Sequence, residues 1–400
     1  MTHFHGWRLS LAAASIALLL AACGGGGGGD HAPAPAPQSL PVISRSPAGS
    51  TQATDAVVDA YVQAQLVEGK IPGASIAVMD NGRLIYAKSY GYARLEGAEP
   101  MTPEHRLEIG SISKTFTAAA VMLMVEEGRI DLDAKISTYI GPVLPSWEGI
   151  TVRHLLNHTS GLPENPDAGP RDRLQNHVAS EAEFLEVYMK VPATGKPGQT
   201  WSYSNIGFDL LGLIMGRITG RFYGDYVKEK IFVPLGMDHT RIMSATDDGT
   251  GKAMGYTMND RQQIVALRHP AGVVRFLSMA ASGIESTALD IAKYDAALRG
   301  DTLLRQSSRD AMWTVSALAE ARTGDMRADV NYGLGWFLST VDTYRKIYHS
   351  GGMPAFTSDF IRYQDAGMSV IVLTNQSYDR KVPQVMSRGI AKIYRPELPR

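Results

Sequence analysis

Apolar residues are concentrated in short runs near both ends of the chain, and polar turns separate these runs. The runs at 74–79 and 83–91 are joined by an Asp-Asn-Gly turn at 80–82, which is typical of a tight β-hairpin. The runs at 358–363 and 368–374 form a second such pair. The pattern therefore predicts β-strands at both ends of the folded part of the chain.

Helical periodicity dominates the remainder of the chain. Apolar residues recur at helical spacing over 55–68 and 382–394, and again over 206–218 and 289–298 inside a middle region at about 111–300. The order of elements predicts an α/β fold of the α+β type. In it, an antiparallel sheet built from amino- and carboxyl-terminal strands is flanked by helices and carries a large, mainly helical lobe.

The amino terminus has the pattern of an export signal. Arg8 precedes an apolar run at 9–20 that is too short to span a membrane. The run ends in Leu-Ala-Ala-Cys, which resembles the lipobox of bacterial lipoproteins. We expect a signal peptide at 1–22 and a lipid on Cys23, which is the only cysteine. The resemblance implies attachment to a membrane facing the bacterial periplasm, most simply the outer membrane. Ordinary signal cleavage at small residues remains the alternative.

Residues 23–53 are rich in glycine and contain an Ala-Pro repeat, so we expect a disordered tether there. A folded domain is expected over 54–397. Lys and Arg total 39 against 40 for Asp and Glu, so the charge balance does not favour a nucleic-acid partner.

One stretch brings together a nucleophile and a cation at the start of a helix. In GSISKTFTAAAVMLMVEEG, at 110–128, Ser111 and Lys114 are one turn apart at the mouth of an apolar run. A serine hydroxyl needs an adjacent base, and a lysine can serve only if burial lowers its pKa from about 10.4. The stretch therefore predicts a buried Lys114 amine that activates Ser111.

Two further motifs follow along the chain. The S-x-x-K pattern is weak alone, because about one match is expected by chance. Tyr203-Ser204-Asn205 precedes a predicted helix and offers a phenol and an amide on the same side of an extended stretch. His349-Ser350-Gly351-Gly352 precedes the last hairpin, and its glycines allow close approach of a ligand to the backbone. Each also has a purely structural interpretation: Tyr203 could simply pack near the start of a helix, and the His349 motif could simply form a turn.

In this order, S-I-S-K, Y-S-N and H-S-G resemble the three signatures of the serine β-lactamase and penicillin-binding protein superfamily, particularly its class C-like branch. The resemblance covers about residues 55–395. It extends to five flanking phrases, LLNHTSGLP, KPGQTWSYSN, IFVPLGMDHT, YGLGW and VIVLTN. It implies a β-lactamase/transpeptidase-like fold.

The resemblance also implies a role for each motif residue. Ser111 would be the acylated nucleophile, and Lys114 and Tyr203 would share its proton. Asn205 would hold Lys114 or a substrate amide. The backbone N–H groups of Ser111 and Gly352 would form the oxyanion hole.

The third motif departs from the superfamily. The resemblance assigns His349, Ser350 and Gly351 to substrate binding, but many relatives carry lysine where His349 stands. Histidine is only partly charged at neutral pH, so the departure leaves esters and other amides open beside β-lactams. If protonated His349 binds a substrate carboxylate, activity on such a substrate should weaken above about pH 6.5.

No metal or cofactor is implied by the resemblance, and the sequence contains neither an H-E-x-x-H nor a Walker A motif. His154 and His158 have metal-like spacing, but packing is the favoured interpretation. We expect an acyl-serine hydrolase acting on a small-molecule or peptide ester or amide. The alternatives are a cell-wall D-alanyl carboxypeptidase or transpeptidase, and a noncatalytic ligand-binding lipoprotein.

Overall fold

The computed structural model describes residues 40–47, 52–164, 181–243, 249–267, 279–316 and 331–399. Its α-helices are α1 (Gln52–Glu68), α2 (Ser113–Glu126), α3 (Ser137–Ile140), α4 (Val152–Leu156), α5 (Glu181–Tyr188), α6 (Asn205–Thr219), α7 (Tyr223–Val227), α8 (Met279–Ser282), α9 (Ala288–Ala297), α10 (Gln306–Met312) and α11 (Val382–Tyr394). Two 3₁₀ turns, Gly110–Ile112 and Pro145–Trp147, and a π-helical turn, Lys228–Phe232, complete the helical elements of these residues.

The strands are β1 (Val42–Ser44), β2 (Gly73–Asp80), β3 (Arg83–Arg94), β4 (Glu99–Pro100), β5 (Leu107–Glu108), β6 (Arg241–Ile242), β7 (Tyr256–Met258), β8 (Ile264–Ala266), β9 (Ile284–Ser286), β10 (Asn331–Tyr332), β11 (Phe337–Val341), β12 (Tyr344–Met353), β13 (Phe356–Tyr363) and β14 (Met368–Thr374). The predicted strands and helices are therefore present, with ends that differ by a few residues.

One antiparallel sheet joins the two ends of the chain. Its order is β1-β3-β2-β14-β13-β12-β11-β10, with β4 paired to β3. Val78 of β2 lies opposite Val370 of β14, so the amino-terminal hairpin sits beside the carboxyl-terminal one. The β2–β3 turn places Asn81 and Gly82 at φ values of 48° and 77°, which a tight hairpin turn requires. The prediction of a sheet built from both ends is confirmed.

The two faces of this sheet carry different layers. On one face, the terminal helices α1 and α11 pack through residues such as Val62 and Ile390. On the other face, residues such as Ile371 pack against the lobe that contains α2, α6 and α9. Burying both faces explains why β13 and β14 are buried along their whole length and why β14 is mostly apolar. The predicted α/β architecture with a mainly helical lobe is confirmed.

The lobe also contains short strands that sequence patterning missed. Strands β5, β9 and β6 form a three-stranded sheet, and β7 pairs with β8. Each has only two or three residues, which is too short for a strand pattern of apolar and polar residues to be recognised.

The predicted tether needs a correction. Val42–Ser44 forms an edge strand paired with residues 88–90 of β3, inside the range expected to be disordered. An edge strand is held by backbone hydrogen bonds, so a segment with weak apolar patterning can still pair. Residues Ser39–Arg400 cluster as one compact unit. The predicted signal peptide and Cys23 lie outside the described residues. Within those residues, every helix is too short or too polar to traverse a lipid bilayer.

Candidate active site

Ser111 lies between strand β5 of the three-stranded sheet and helix α2. It occupies the 3₁₀ turn Gly110–Ile112, directly before α2, and not the α-helix itself as predicted. Helix α2 is buried on nearly all sides, as expected for a helix that is apolar all round. The side chain of Ser111 is half-buried, whereas Lys114 has no exposed surface.

The amine of Lys114 donates to three oxygens. Its Nζ lies 3.2 Å from Ser111 Oγ, 2.8 Å from Asn205 Oδ1 and 2.9 Å from the backbone oxygen of Ala281. Burial lowers the pKa of Lys114 to about 7, although the negative charges of Asp209 and Glu164 oppose the shift. About half of the amine is therefore neutral near pH 7. The predicted Ser–Lys contact and depressed pKa are both present.

The small sheet positions the carbonyl of Ala281 against this amine. Strand β5 ends two residues before Gly110, and β9 follows Ala281 closely. Leu107 pairs with Ser286, and the Ser113 hydroxyl accepts the N–H of Ile284. Because β5 pairs with β9, the end of α8, which contains Ala281, lies close to the start of α2.

Tyr203 and Asn205 approach from the start of α6. Ser204 is the N-cap of that helix, and its hydroxyl accepts the N–H of Gly207. Asn205 is consequently the first helical residue, with its amide oxygen on Lys114. The Tyr203 ring centroid lies 4.8 Å from Lys114 Nζ, so the three signature side chains Ser111, Lys114 and Tyr203 converge at one place.

Two of the flanking phrases are joined by hydrogen bonds. The segment 157–164, which overlaps LLNHTSGLP (155–163), runs beside 194–205, which contains KPGQTWSYSN (196–205). Gly198 donates to the backbone oxygen of Thr159, and Asn205 donates to that of Glu164. The Ser204 hydroxyl donates to the backbone oxygen of Pro163. These phrases therefore fix the loop that carries Tyr203.

Strand β12 forms the opposite wall and meets the Ser111 turn backbone to backbone. A Cβ on Gly351 would lie 2.0 Å from the backbone oxygen of Ile109. Gly110 has a φ of 52°, and a Cβ there would lie 2.7 Å from the backbone nitrogen of Gly352. Side chains at Gly110 and Gly351 would push the strand away, so glycine is required for Gly352 to lie beside Ser111.

His349 lies within β12, paired with Phe360, and not in a turn. Its side chain is 1% exposed. Nδ1 lies 2.7 Å from the backbone oxygen of Ser350, and Nε2 lies 3.2 Å from the hydroxyl of Tyr332. A carbonyl can only accept, so Nδ1 carries a proton, and in the neutral imidazole Nε2 would accept from the Tyr332 hydroxyl. Strand alternation places Ser350 on the other face, together with Gly352.

Sequence reasoning missed a cation beside that face. A Cβ built on Gly352 would lie 3.6 Å from Nη1 of Arg380. Arg380 is exposed and makes no hydrogen bond or ion pair with another residue in the described ranges. It follows VIVLTN by only a few residues, but no spacing rule connects this loop to β12.

Aromatic side chains surround Tyr203. Trp201 and Tyr332 lie near it and near His158. The ring centroids of Trp201 and Tyr203 are 6.4 Å apart, and those of His158 and Tyr332 are 4.6 Å apart. Trp336 instead is completely buried and packs edge-on against Phe360. Trp201 therefore lies on the Tyr203 side of the cleft, whereas Trp336 belongs to the core.

The predicted packing role of the two histidines takes a specific form. His154 belongs to a capping box at the start of α4, where Nδ1 accepts the N–H of Thr151. His158 is fully buried beside Tyr203. Among the residues that the structure describes, His, Cys, Asp and Glu do not form a group of three or more that could bind a metal ion.

Comparison with known proteins agrees with this geometry. The beta-lactamase family model matches residues 57–395. The chain belongs to the beta-lactamase family. Penicillin-binding protein 4* of Bacillus subtilis is 28% identical over 330 residues, which are 80% of this chain and 71% of that protein. Protein flp of Staphylococcus aureus is 26% identical over 80% of this chain and 62% of its own length.

Solved structures of the family share the fold. The octameric penicillin-binding protein homologue from Pyrococcus abyssi has a TM-score of 0.74 and 28% identity, covering 85% of this chain and 77% of that one. EstCE1, a hydrolase with promiscuous acyltransferase activity, has a TM-score of 0.72 and 22% identity, covering 85% and 98%. A penicillin-binding protein homologue and a hydrolase therefore share the fold of this chain.

Proposed function

We propose that the chain is a serine hydrolase that forms an acyl-enzyme at Ser111 and hydrolyses an ester or amide. The observation that carries the proposal is the contact of Lys114 Nζ with Ser111 Oγ, at 3.2 Å, within a site where burial lowers the lysine pKa to about 7. A base with a pKa near the working pH combines availability with proton affinity. An ordinary surface lysine would be protonated there.

The chemistry follows from these contacts. Ser111 Oγ attacks the substrate carbonyl carbon, and its proton passes to neutral Lys114 or through the Tyr203 phenol. The tetrahedral intermediate collapses, its leaving group takes that proton, and the acyl group remains on Ser111. Water then adds to the ester carbonyl, releases the acid and restores the serine hydroxyl.

The oxyanion would be held by backbone N–H groups. Ser111 lies in the 3₁₀ turn that leads into α2, and Gly352 is brought beside it by the close approach of Gly110. Two donors at this position match the arrangement that stabilises tetrahedral intermediates, at about 2.7 to 4 kcal/mol per donor in comparable enzymes.

The test is covalent labelling of the full chain. A fluorophosphonate or a penicillin should add its mass to the peptide that contains Ser111, and Ser111→Ala should lose both labelling and ester hydrolysis. Ser377→Ala, at a half-buried serine in the loop before Arg380, is the matched control and should label normally. Labelling that survives Ser111→Ala would reject the proposal. Turnover of a chromogenic cephalosporin, a p-nitrophenyl ester and a D-alanyl-D-alanine peptide then ranks the substrates.

A cell-wall carboxypeptidase or transpeptidase is the second candidate. Arg380 favours it, because an unpaired guanidinium beside Gly352 suits a substrate that carries a carboxylate near the scissile bond. The relationship to Penicillin-binding protein 4* points the same way. A noncatalytic ligand-binding role is less well supported, since Ser111, Lys114 and Tyr203 are all present and the Lys114 amine lies near both of the others.

We also propose that Cys23 is lipidated after removal of residues 1–22, which would hold the enzyme at a periplasmic membrane surface, most simply that of the outer membrane. The support is the apolar run and Leu-Ala-Ala-Cys sequence. Labelled palmitate should be incorporated into the full chain and lost in Cys23→Ala. Incorporation that persists in Cys23→Ala would reject the anchor.

A further inference from the structure

His158 contacts the chain on both sides of Tyr203. Its backbone oxygen accepts the N–H of Ser202 at 2.8 Å, and its side-chain Nδ1 accepts the N–H of Ser204 at 3.1 Å. One residue therefore holds the N–H groups of the two residues that flank Tyr203. Residues 201–204 belong to no helix or strand, so these bonds replace the support that a regular element would give.

The imidazole also supports the Tyr203 ring directly. The ring centroids of His158 and Tyr203 are 4.3 Å apart, and Phe208 and Tyr332 lie 5.2 Å and 4.6 Å from the same imidazole. His158 has no exposed surface. Its ring is thus confined on several sides while it contacts the tyrosine.

The hydrogen-bond pattern assigns the tautomer. Nδ1 accepts an amide proton, so the neutral imidazole carries its own proton on Nε2. Among the described residues, Nε2 has no hydrogen-bond partner, and aromatic rings surround it. Burial, together with the positive charges of Lys114 and His349, lowers the pKa of His158 well below 6.5. Nδ1 is therefore an acceptor at neutral pH.

We propose that His158 is a positioning residue that holds Tyr203 in place for proton transfer at Ser111. The inference rests on the proposed function, because it matters only if the phenol takes part in acylation. His158 does not touch the reacting atoms, and it acts through the backbone and ring of Tyr203. A displacement of about 1 Å in a catalytic group can cost about 100-fold in rate, which is the size of effect at issue.

The backbone conformation selects the variants. His158 has a φ of 62°, which asparagine tolerates better than most residues. His158→Asn places Oδ1 at the same distance along the side chain as Nδ1, so it retains an acceptor for Ser204. His158→Leu keeps the bulk and removes the acceptor. Should His158→Leu not fold, His158→Gly removes the acceptor without backbone strain.

The experiment is a double-mutant cycle with Tyr203→Phe, measuring the acylation rate constant of the full chain with a p-nitrophenyl ester. We expect His158→Leu to lower this rate by about 10- to 100-fold. In the Tyr203→Phe background the same change should cost less than about threefold, because the phenol it positions is gone. His158→Asn should recover most of the loss, and thermal unfolding reports folding of each variant.

The outcomes separate the two proposals. Equal losses from His158→Leu in both backgrounds, or an asparagine variant as slow as the leucine variant, would overturn the positioning role and leave the acyl-enzyme mechanism intact. A wild-type rate in Tyr203→Phe would overturn both the participation of the phenol and the role of His158. Retention of labelling after Ser111→Ala would reject the acyl-enzyme itself.

Discussion

Two basic side chains are buried on opposite walls of the candidate cleft, and their surroundings differ. Lys114 and His349 have 0% and 1% exposed surface. Lys114 donates to the Ser111 hydroxyl, whereas the two ring nitrogens of His349 meet the backbone of Ser350 and the hydroxyl of Tyr332. Both side chains are buried, but only Lys114 is hydrogen-bonded to the candidate nucleophile Ser111.

The difference shows why burial alone does not identify a base. Lys114 combines a lowered pKa with access to a proton on Ser111. His349 sits where many relatives have a lysine that assists substrate binding, but its nitrogens are engaged by the protein. If a carboxylate is bound on that wall, Arg380 is the better-placed cation, because it lies on the Gly352 face and lacks a partner within the described ranges.

Among the changes that test this difference between Lys114 and His349, replacing Lys114 should lower the acylation rate most. Lys114→Met keeps the length of the side chain and removes the amine, so acylation should fall by about 100- to 10,000-fold, the usual contribution of a general base. Rapid-quench or burst kinetics with a p-nitrophenyl ester measure it.

A matched control is available on strand β12. Burial also lowers the pKa of Lys346, whose Nζ lies 4.9 Å from the Tyr348 ring centroid, away from Ser111. Lys346→Met should leave acylation within about threefold of wild type. Equal losses in the two variants would mean that general destabilisation, and not the Ser111 contact, explains the result.

Much of this comparison could be predicted from the sequence, and some of it could not. The S-x-x-K spacing is local, so one helical turn brings Ser111 and Lys114 together. The apolar runs likewise predicted central strands such as β14, because a strand buried on both faces is apolar along most of its length. The contacts of Lys114 with Ala281 and of His349 with Tyr332 join residues 167 and 17 positions apart. Such contacts depend on tertiary packing, which the local periodicity of the sequence does not predict.

Arg380 tests which wall residue recognises a carboxylate. Arg380→Gln should lower kcat/KM for a carboxylate-bearing substrate by about 10- to 100-fold, the range of a charge-assisted hydrogen bond. A neutral ester should lose much less. Lys381→Gln removes the adjacent exposed charge and is the control.

The pH dependence of that preference separates Arg380 from His349. A guanidinium stays charged through neutral pH, so recognition by Arg380 should be constant from pH 6 to 8. Recognition by protonated His349 should instead decline above about pH 6.5. A decline in wild type that is absent in His349→Asn would return the role to His349.

The pH profile on a neutral ester should report Lys114. The amine acts as a base only when neutral, and its pKa is about 7. Below that value the neutral fraction falls about tenfold per pH unit, so kcat/KM should fall in parallel on the acid side and level off above it. A profile without an inflection between about pH 6 and 8 would assign the base to another group.

The smallest effect concerns the partner of His349. Tyr332→Phe removes the hydroxyl that lies 3.2 Å from Nε2, in a site where Tyr332 is completely buried. Burial raises the pKa of Tyr332 well above its usual value, so the hydroxyl is a neutral donor throughout neutral pH. Losing one such bond should lower the free energy of unfolding by about 1 kcal/mol, measured by urea denaturation.

Tyr344→Phe, a half-buried position on the same strand as His349, is the control and should have a smaller effect. The pair distinguishes a histidine held for structure from one available to substrate. If Tyr332→Phe is neutral for stability but raises the affinity for a carboxylate-bearing substrate, then the hydroxyl competes with that substrate for Nε2. In that case His349, like Lys114, serves the reaction, and the two walls differ only in which partner each side chain meets before substrate arrives.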